Sequence, residues 1–298
     1  LGSNPRGGSG RMSERQDVVI EANGEKLAGW LYNPGKTDNV PLIVMSHGFS
    51  ALMAMGLEGY AAAFAGAGFA VLVYDHRNYG ASSGWPRNET DPWQQVEDMR
   101  AVISHGRNLS FVDPERIGLW GTSYSGGHAL TVSALDSRVK CVVSQVPLVS
   151  GSRTFEAWVP EKSRQRFLGR LAADRDGRAR GEPVGVTPAA LPGSETAEWA
   201  EAVDKDGTYA NEVTLRSLDL LRGYEPCAFI SGIAPTPLLM IIADQDTQTP
   251  VQWQREAFEL AGEPKKLVTL SGRHYDPYTL RLEESRQAAL DWFQAHLH

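Results

Sequence analysis

The sequence predicts an α/β fold: a mostly parallel central sheet flanked by helices and interrupted once by a helical insertion. Three observations carry this. Short, continuous runs of Val, Ile and Leu recur along the chain, as strands covered on both faces require. Segments of helical pattern, opened by N-caps or closed by glycine, separate them. Near the start, Asn23-Gly24 joins two β-rich runs into a hairpin.

The hairpin arms are Asp17–Ala22 and Lys26–Tyr32. Core strands follow at Pro41–Ser46, Ala70–Tyr74, Arg116–Trp120, Lys140–Val146, Pro237–Ile242 and Lys266–Leu270. Between them, the Ala-rich stretch Leu57–Ala65 reads as a helix that Gly66-Ala67-Gly68 ends. Asp91-Pro92 supplies an N-cap and a proline at the first helical position, and that helix runs to about His105. Thr249-Pro250 opens another, ending near Gly262. In Leu282–Leu297, Ala289, Leu290, Phe293 and Leu297 fall at helical spacing. A hairpin followed by repeated βα units implies parallel strands joined by right-handed crossovers.

From Val149 to Pro235 the alternation stops: there is no core strand, prolines stand at 160, 183, 188 and 192 among others, and arginines crowd residues 164–180. So long an excursion is expected to carry its own helices. The expected organisation is a core of residues 12–148 and 235–298, with a helical cap over 149–234 at the carboxyl edge where ligands bind. Residues 1–11, ahead of Met12, read as a disordered cloning remnant.

Composition narrows the function. With 298 residues, 42% of them hydrophobic, a sizeable core is available. Lys plus Arg is 29 against 36 Asp plus Glu, a formal charge of −7 that argues against nucleic acid as a partner. Cys141 and Cys227 form neither a disulfide framework nor a zinc pattern, so no metal or other cofactor is expected. No apolar stretch approaches the roughly 20 residues of a membrane span, and the expected location is the cytoplasm, away from membranes. A homodimer is compatible with all of this.

The strand ending at Trp120 runs into Gly121-Thr-Ser-Tyr-Ser-Gly-Gly127 and then a helical pattern. A strand, a tight turn with a central serine and a helix form a nucleophile elbow, which lifts Ser123 Oγ above the sheet. Ser125 stands where the Gly-x-Ser-x-Gly pattern has its second glycine. After an early strand, Ser46-His-Gly-Phe-Ser50 offers the Phe49 N–H, which with the Tyr124 N–H would hold a developing oxyanion; His47 reads as a loop-shaping residue. Two aspartates, Asp244 and Asp246, follow a late strand; Asp246 lies further into its loop and is the preferred acid, with Asp244 a turn residue. His274 follows the last strand in a polar loop and reads as the general base, and its neighbour Asp276 as turn chemistry. Serine, aspartate and histidine in that chain order are the parts of an acyl-transfer triad.

On these residues, together with Tyr74-Asp-His-Arg77, Gly80, Gly84 and His274-Tyr-Asp-Pro-Tyr278, the chain resembles the α/β-hydrolase superfamily over essentially all of Asp17–His298. It is most similar to dienelactone-hydrolase-like and polyketide-transferase-like hydrolases, with a distant relation to the X-Pro dipeptidyl-peptidase group. The resemblance implies the triad Ser123, Asp246 and His274 and a small-molecule acyl substrate. Phe155, Trp158 and Phe167 are candidates for an apolar substrate wall. The arginines at 164, 166, 170, 175, 178 and 180 read chiefly as a solvated helix face, with contact to an acidic or phosphopantetheine-bearing substrate as the rival reading. Asp75 and Arg77 read as anchors that tie neighbouring loops together. Hydrolysis of an ester or thioester, acyl transfer or elimination with the same triad, and silent binding on a hydrolase scaffold are the competing functions.

Overall fold

In a computed structural model of the chain, residues 14–35 and 38–297 are described. The stretch read as a cloning remnant, residues 1–11, lies outside them. Strands β1 (Glu14–Ala22) and β2 (Glu25–Asn33) form the antiparallel hairpin, and both turn residues have positive φ, Asn23 at 48° and Gly24 at 86°. That is the geometry an Asn-Gly hairpin turn supplies.

After β2 come β3 (Val40–Ser46), α1 (Glu58–Gly66), β4 (Ala70–Tyr74), α2 (Pro92–Arg107), β5 (Val112–Thr122), α3 (Tyr124–Leu135) and β6 (Val139–Gln145). A segment with α4 (Gly151–Trp158), α5 (Glu161–Ala179), β7 (Val186–Thr187), α6 (Glu195–Val203), β8 (Val213–Thr214) and α7 (Leu215–Leu221) intervenes. Then β9 (Leu238–Ala243), α8 (Val251–Leu260), β10 (Lys265–Leu270) and α9 (Leu282–Leu297) complete the chain.

The large sheet has the order β1-β2-β4-β3-β5-β6-β9-β10. Pairings from β4 through β10 are parallel, and only the hairpin arms run antiparallel. Residues of β3, β4 and β9 are buried along their whole length, which is why those strands read as unbroken apolar runs. Side chains of β3, β4 and β5 alternate between two cores. Leu42, Val44, Leu72 and Leu119 face α2 and α3, while Ile43, Met45, Val71, Val73 and Trp120 face α1 and α9. Burying each such side chain stabilises the fold by roughly 1.5–3 kcal/mol, so both helical layers are pinned by the same strands.

Strand β5 begins at Val112, four residues before the start expected from the sequence. Asp113, Pro114 and Glu115 hide this extension, and a register shift lies between the Val40↔Val112 and Leu42↔Ile117 pairs. Between β6 and β9, the paired strands β7 and β8 contribute only two residues each, too few to leave a periodic signal. Among the described residues no helix is long and apolar enough to cross a membrane.

Candidate active site

Parallel strands deliver their loops to one edge, and three of those loops meet. Ser123 follows β5, Asp246 follows β9 and His274 follows β10.

The turn at Ser123 is held from several directions. Its φ of 55° and ψ of −117° are strained for an L-residue. The strain persists because Ser123 N–H donates to Gln145 O (2.8 Å), while Ser123 O accepts from Leu148 N–H (2.8 Å) and Gly126 N–H (3.0 Å). Gly121 is required on contact grounds: a Cβ there would lie 2.0 Å from the Ser125 carbonyl oxygen.

Ser123 Oγ stands 3.0 Å from His274 Nε2, and His274 Nδ1 lies 2.8 Å from Asp246 Oδ2. Asp246 Oδ1 accepts from the N–H groups of Gln248 (2.9 Å) and Thr249 (3.0 Å). Its Oδ2 accepts from the Thr249 hydroxyl (2.9 Å) and from Gln254 Nε2 (3.0 Å). Burial pushes the Asp246 carboxyl up, but the His274 ring and the Thr249 bonds outweigh it and hold it below the usual carboxylate value. Asp246 is thus ionised and saturated with donors.

The two rival aspartates are engaged elsewhere. Asp244 Oδ1 accepts from Gly272 N–H (2.9 Å), tying the loops of Asp246 and His274 together. Asp276 Oδ2 accepts from Arg273 N–H (2.7 Å), a turn bond.

His47 sits behind this constellation. Its Nε2 accepts the His76 backbone N–H (3.0 Å), so the proton is on Nδ1, which donates to Gly48 O (3.0 Å). His76 Nε2 is hydrogen-bonded with Ser125 Oγ (2.8 Å), which gives the departure from the usual elbow pattern a partner. On α3, His128 bonds to Tyr224 Oη (2.8 Å) and Gln95 Oε1 (3.0 Å). Burial is the leading cause that keeps all three rings neutral; it lowers His128 to about 3 and His76 well below its ordinary value. Nearby, Arg77 clasps Asp98 with two bonds, and Asp75 accepts from the N–H groups of Met53 (2.8 Å) and Ala81 (3.3 Å).

A cavity of about 640 Å³ opens over Ser123 and His274. Phe49, Phe155, Trp158 and Phe167 form one wall, and Trp199, Tyr275 and Tyr278 another. Phe49 packs edge-on against the Tyr124 ring at 5.3 Å. Trp158 donates from its indole N–H to Gln248 O (2.8 Å), linking α4 to the loop that carries Asp246. Trp199 of α6 stacks on Tyr275 at 4.6 Å, beside His274. Among the described residues, no group of three or more His, Cys, Asp or Glu side chains is placed to hold a metal ion.

Comparison with known proteins adds a lineage to this geometry. A model of the X-Pro dipeptidyl-peptidase (S15) family matches residues 23–276. The chain belongs to the S15 family. The S15 match spans all three residues of the constellation. Thiohydrolase aneE of Aspergillus aculeatus is 34% identical over 274 residues, covering 86% of this chain and 84% of that protein. Quorum-quenching protein AidA of Acinetobacter baumannii is 33% identical over 244 residues, covering 78% of this chain and 79% of that protein. The crystal structure of the α/β hydrolase GrgF from Penicillium sp. sh18 matches with a TM-score of 0.84 at 28% identity, covering 95% of this chain and 99% of that one. The fold is therefore that of the α/β hydrolases, as the sequence predicts.

Structure brings Ser123, Asp246 and His274 into contact distance and sets Phe49, Phe155 and Trp158 on the cavity wall of this S15-family chain. The bonding roles of three further buried polar residues, His76, Ser125 and Gln254, were not read from the sequence.

Proposed function

We propose that this chain is a serine hydrolase that cleaves a small carboxylic ester or thioester through an acyl-enzyme. The single observation that carries the reading is the continuous hydrogen-bonded line from Ser123 Oγ through the His274 ring to Asp246 Oδ2, with links of 3.0 and 2.8 Å. The ionised Asp246 accepts from Nδ1–H, which leaves Nε2 free to take the Ser123 proton. Oγ then attacks the acyl carbon, and Asp246 stabilises the imidazolium that forms. Protonated Nε2 next gives its proton to the departing oxygen or sulfur, and water, activated by the same nitrogen, releases the acid.

The oxyanion would meet the N–H groups of Phe49 and Tyr124. Neither is hydrogen-bonded to protein among the described residues. His47 supports the first of them. Carbonyl and N–H of one peptide unit point in opposite directions, so holding Gly48 O toward His47 turns the Phe49 N–H away from that ring. Gly48 itself lies against the nucleophile, since a Cβ there would be 3.1 Å from Ser123 Cβ. We read the α4–α7 segment as a cap whose Phe155 and Trp158 contact the apolar part of the substrate.

An ester or thioester suits this cavity better than a peptide with a free amino terminus. Recognising a terminal ammonium calls for a carboxylate, and none lines the cavity among the described residues. Acyl transfer is the second reading, supported by the aromatic lining and by relatives such as the acyltransferase drtE of Aspergillus calidoustus.

Labelling by an active-site fluorophosphonate tests the proposal directly. The expected adduct is on Ser123, and Ser123→Ala should abolish it while lowering kcat by about 10⁴-fold or more. A chain that takes no label, or takes it at another serine, ends the hydrolase reading. Offering an acceptor alcohol with the ester then separates the two reactions: free acid as the main product supports hydrolysis, condensed ester supports transfer.

A further inference from the structure

The cavity is uncharged except at one place. Of the described residues that line it, Arg170 alone carries a fixed charge. Ser163, Phe167 and Arg170 sit at i, i+4 and i+7 on the cavity-facing stripe of α5, so Arg170 lies about 10 Å along the helix from Ser163.

The other arginines of this segment are used or lie elsewhere. Arg175 pairs with Asp219 (2.6 Å), Arg178 with Asp174 (2.9 Å) and Arg180 with Glu182 (2.9 Å). Arg164 donates to the carbonyls of Glu156 (2.9 Å) and Val159 (3.4 Å), and Arg166 does not line the cavity. Arg170 is exposed and has no carboxylate and no hydrogen-bond acceptor among the described residues; the Phe167 ring centre lies 5.4 Å from its Cζ. A guanidinium resting on an aromatic ring keeps its N–H groups free, and they can only donate. Their complement is a carboxylate or a phosphate.

We infer that the substrate is elongated and largely apolar and carries an anionic group away from the scissile carbonyl, and that Arg170 is the residue that receives it. The inference rests on the hydrolase reading and names the substrate class of that same site. The anion has two chemical sources: a carboxylate at the far end of the acyl chain, or the phosphate of a pantetheine-type leaving arm. The chain's net charge of −7 repels anions at long range, so a preference for one must come from this local cation and weaken with salt.

Two matched pairs of substrates test it. In the first, a p-nitrophenyl ester of octanoic acid is compared with the p-nitrophenyl monoester of octanedioic acid. In the second, octanoyl pantetheine is compared with octanoyl phosphopantetheine. At low salt the wild type should favour the anionic member of one pair by about tenfold in kcat/KM, mainly through KM. Which pair responds identifies the source. Arg170→Gln should bring that ratio close to one, Arg170→Lys should keep part of it, and salt should erode it in the wild type. Direct binding of the anionic member to the Ser123→Ala chain, lost in the Ser123→Ala, Arg170→Gln chain, reads the subsite without turnover. Ratios near one in both pairs with wild type, or a ratio that Arg170→Gln leaves unchanged, overturn the inference. Fluorophosphonate labelling of the wild type keeps this outcome distinct from failure of the hydrolase reading.

Discussion

Helix α3, which starts just after Ser123, and helix α5 each serve the same cavity, yet they are built by opposite rules. Ten of the twelve residues of α3 are buried, from Tyr124 through Ser133, and its first turn is fixed by backbone bonds from β6 and the following loop. In α5 only Leu171 and Gly177 of nineteen residues are buried, and charged pairs decorate the rest. Ser123 stands where neighbours over-determine the backbone, which lets a strained φ persist. Residues that would choose the substrate stand where little else constrains them, so their side chains can change without disturbing the sheet. A site whose chemistry must not move and whose specificity must be adjustable gains from that separation.

One substitution made in both regions would break this contrast if it is wrong. Gly121→Ala places a methyl against backbone, the Ser125 carbonyl at 2.0 Å and its carbon at 2.7 Å. Backbone atoms held by a sheet and a helix cannot step aside as a side-chain tip can. The expected cost is about 3 kcal/mol or more, seen as a large drop in the urea midpoint or as failure to accumulate folded chain. An unaltered midpoint would mean that the elbow is looser than its contacts imply.

A pH series sharpens the comparison from the buried side. His47, His76 and His128 are neutral in the folded chain, with pKa values depressed below 6.5, whereas in the unfolded chain they titrate near 6.5. Their contribution to stability is therefore complete above about pH 6.5 and is lost as pH falls toward the folded values, about 3 for His128. Between pH 7.5 and 5.5 His128 alone should cost about 1.4 kcal/mol, and His76 and His47 add to it in the same direction. His105 and His296 are less buried and act in the same direction. Urea unfolding at the two pH values reads the sum, and His128→Gln should flatten the slope. A flat profile in the wild type would mean that these rings can be protonated within the fold.

How far the sequence foretold each region follows from the same physics. β3, β4 and β9 were legible because strands covered on both faces must be apolar throughout. The elbow was legible because a turn that tight admits few residue types. Ser123, Asp246 and His274 were legible as separate loop positions after the proper strands; their convergence is a property of the sheet, and no local pattern encodes it. The partners of His76, Ser125 and Gln254 stayed hidden because a buried polar side chain looks like any other until its partner, 49 residues away for His76 and Ser125, is placed beside it. Thr249 was visible only as part of a helix start, although its hydroxyl also bonds Asp246. Within 164–180, one arginine run held paired surface charges and the unpaired Arg170 alike, and spacing could not separate them.

The smallest effect, and the most telling, belongs to the partner substitution in α5. Gly169 has helical neighbours on both sides, and nothing lies within 4 Å of a Cβ added there. Alanine at that position loses less backbone entropy on folding and meets no obstacle, so Gly169→Ala should stabilise the chain by about 0.5–1 kcal/mol. The same methyl is thus expected to harm the turn at Ser123 and help α5. Urea unfolding resolves a gain of that size when the two variants are measured side by side. Destabilisation by Gly169→Ala would show that α5 packs on something its exposure does not reveal, and the freedom attributed to this helix would have to be withdrawn.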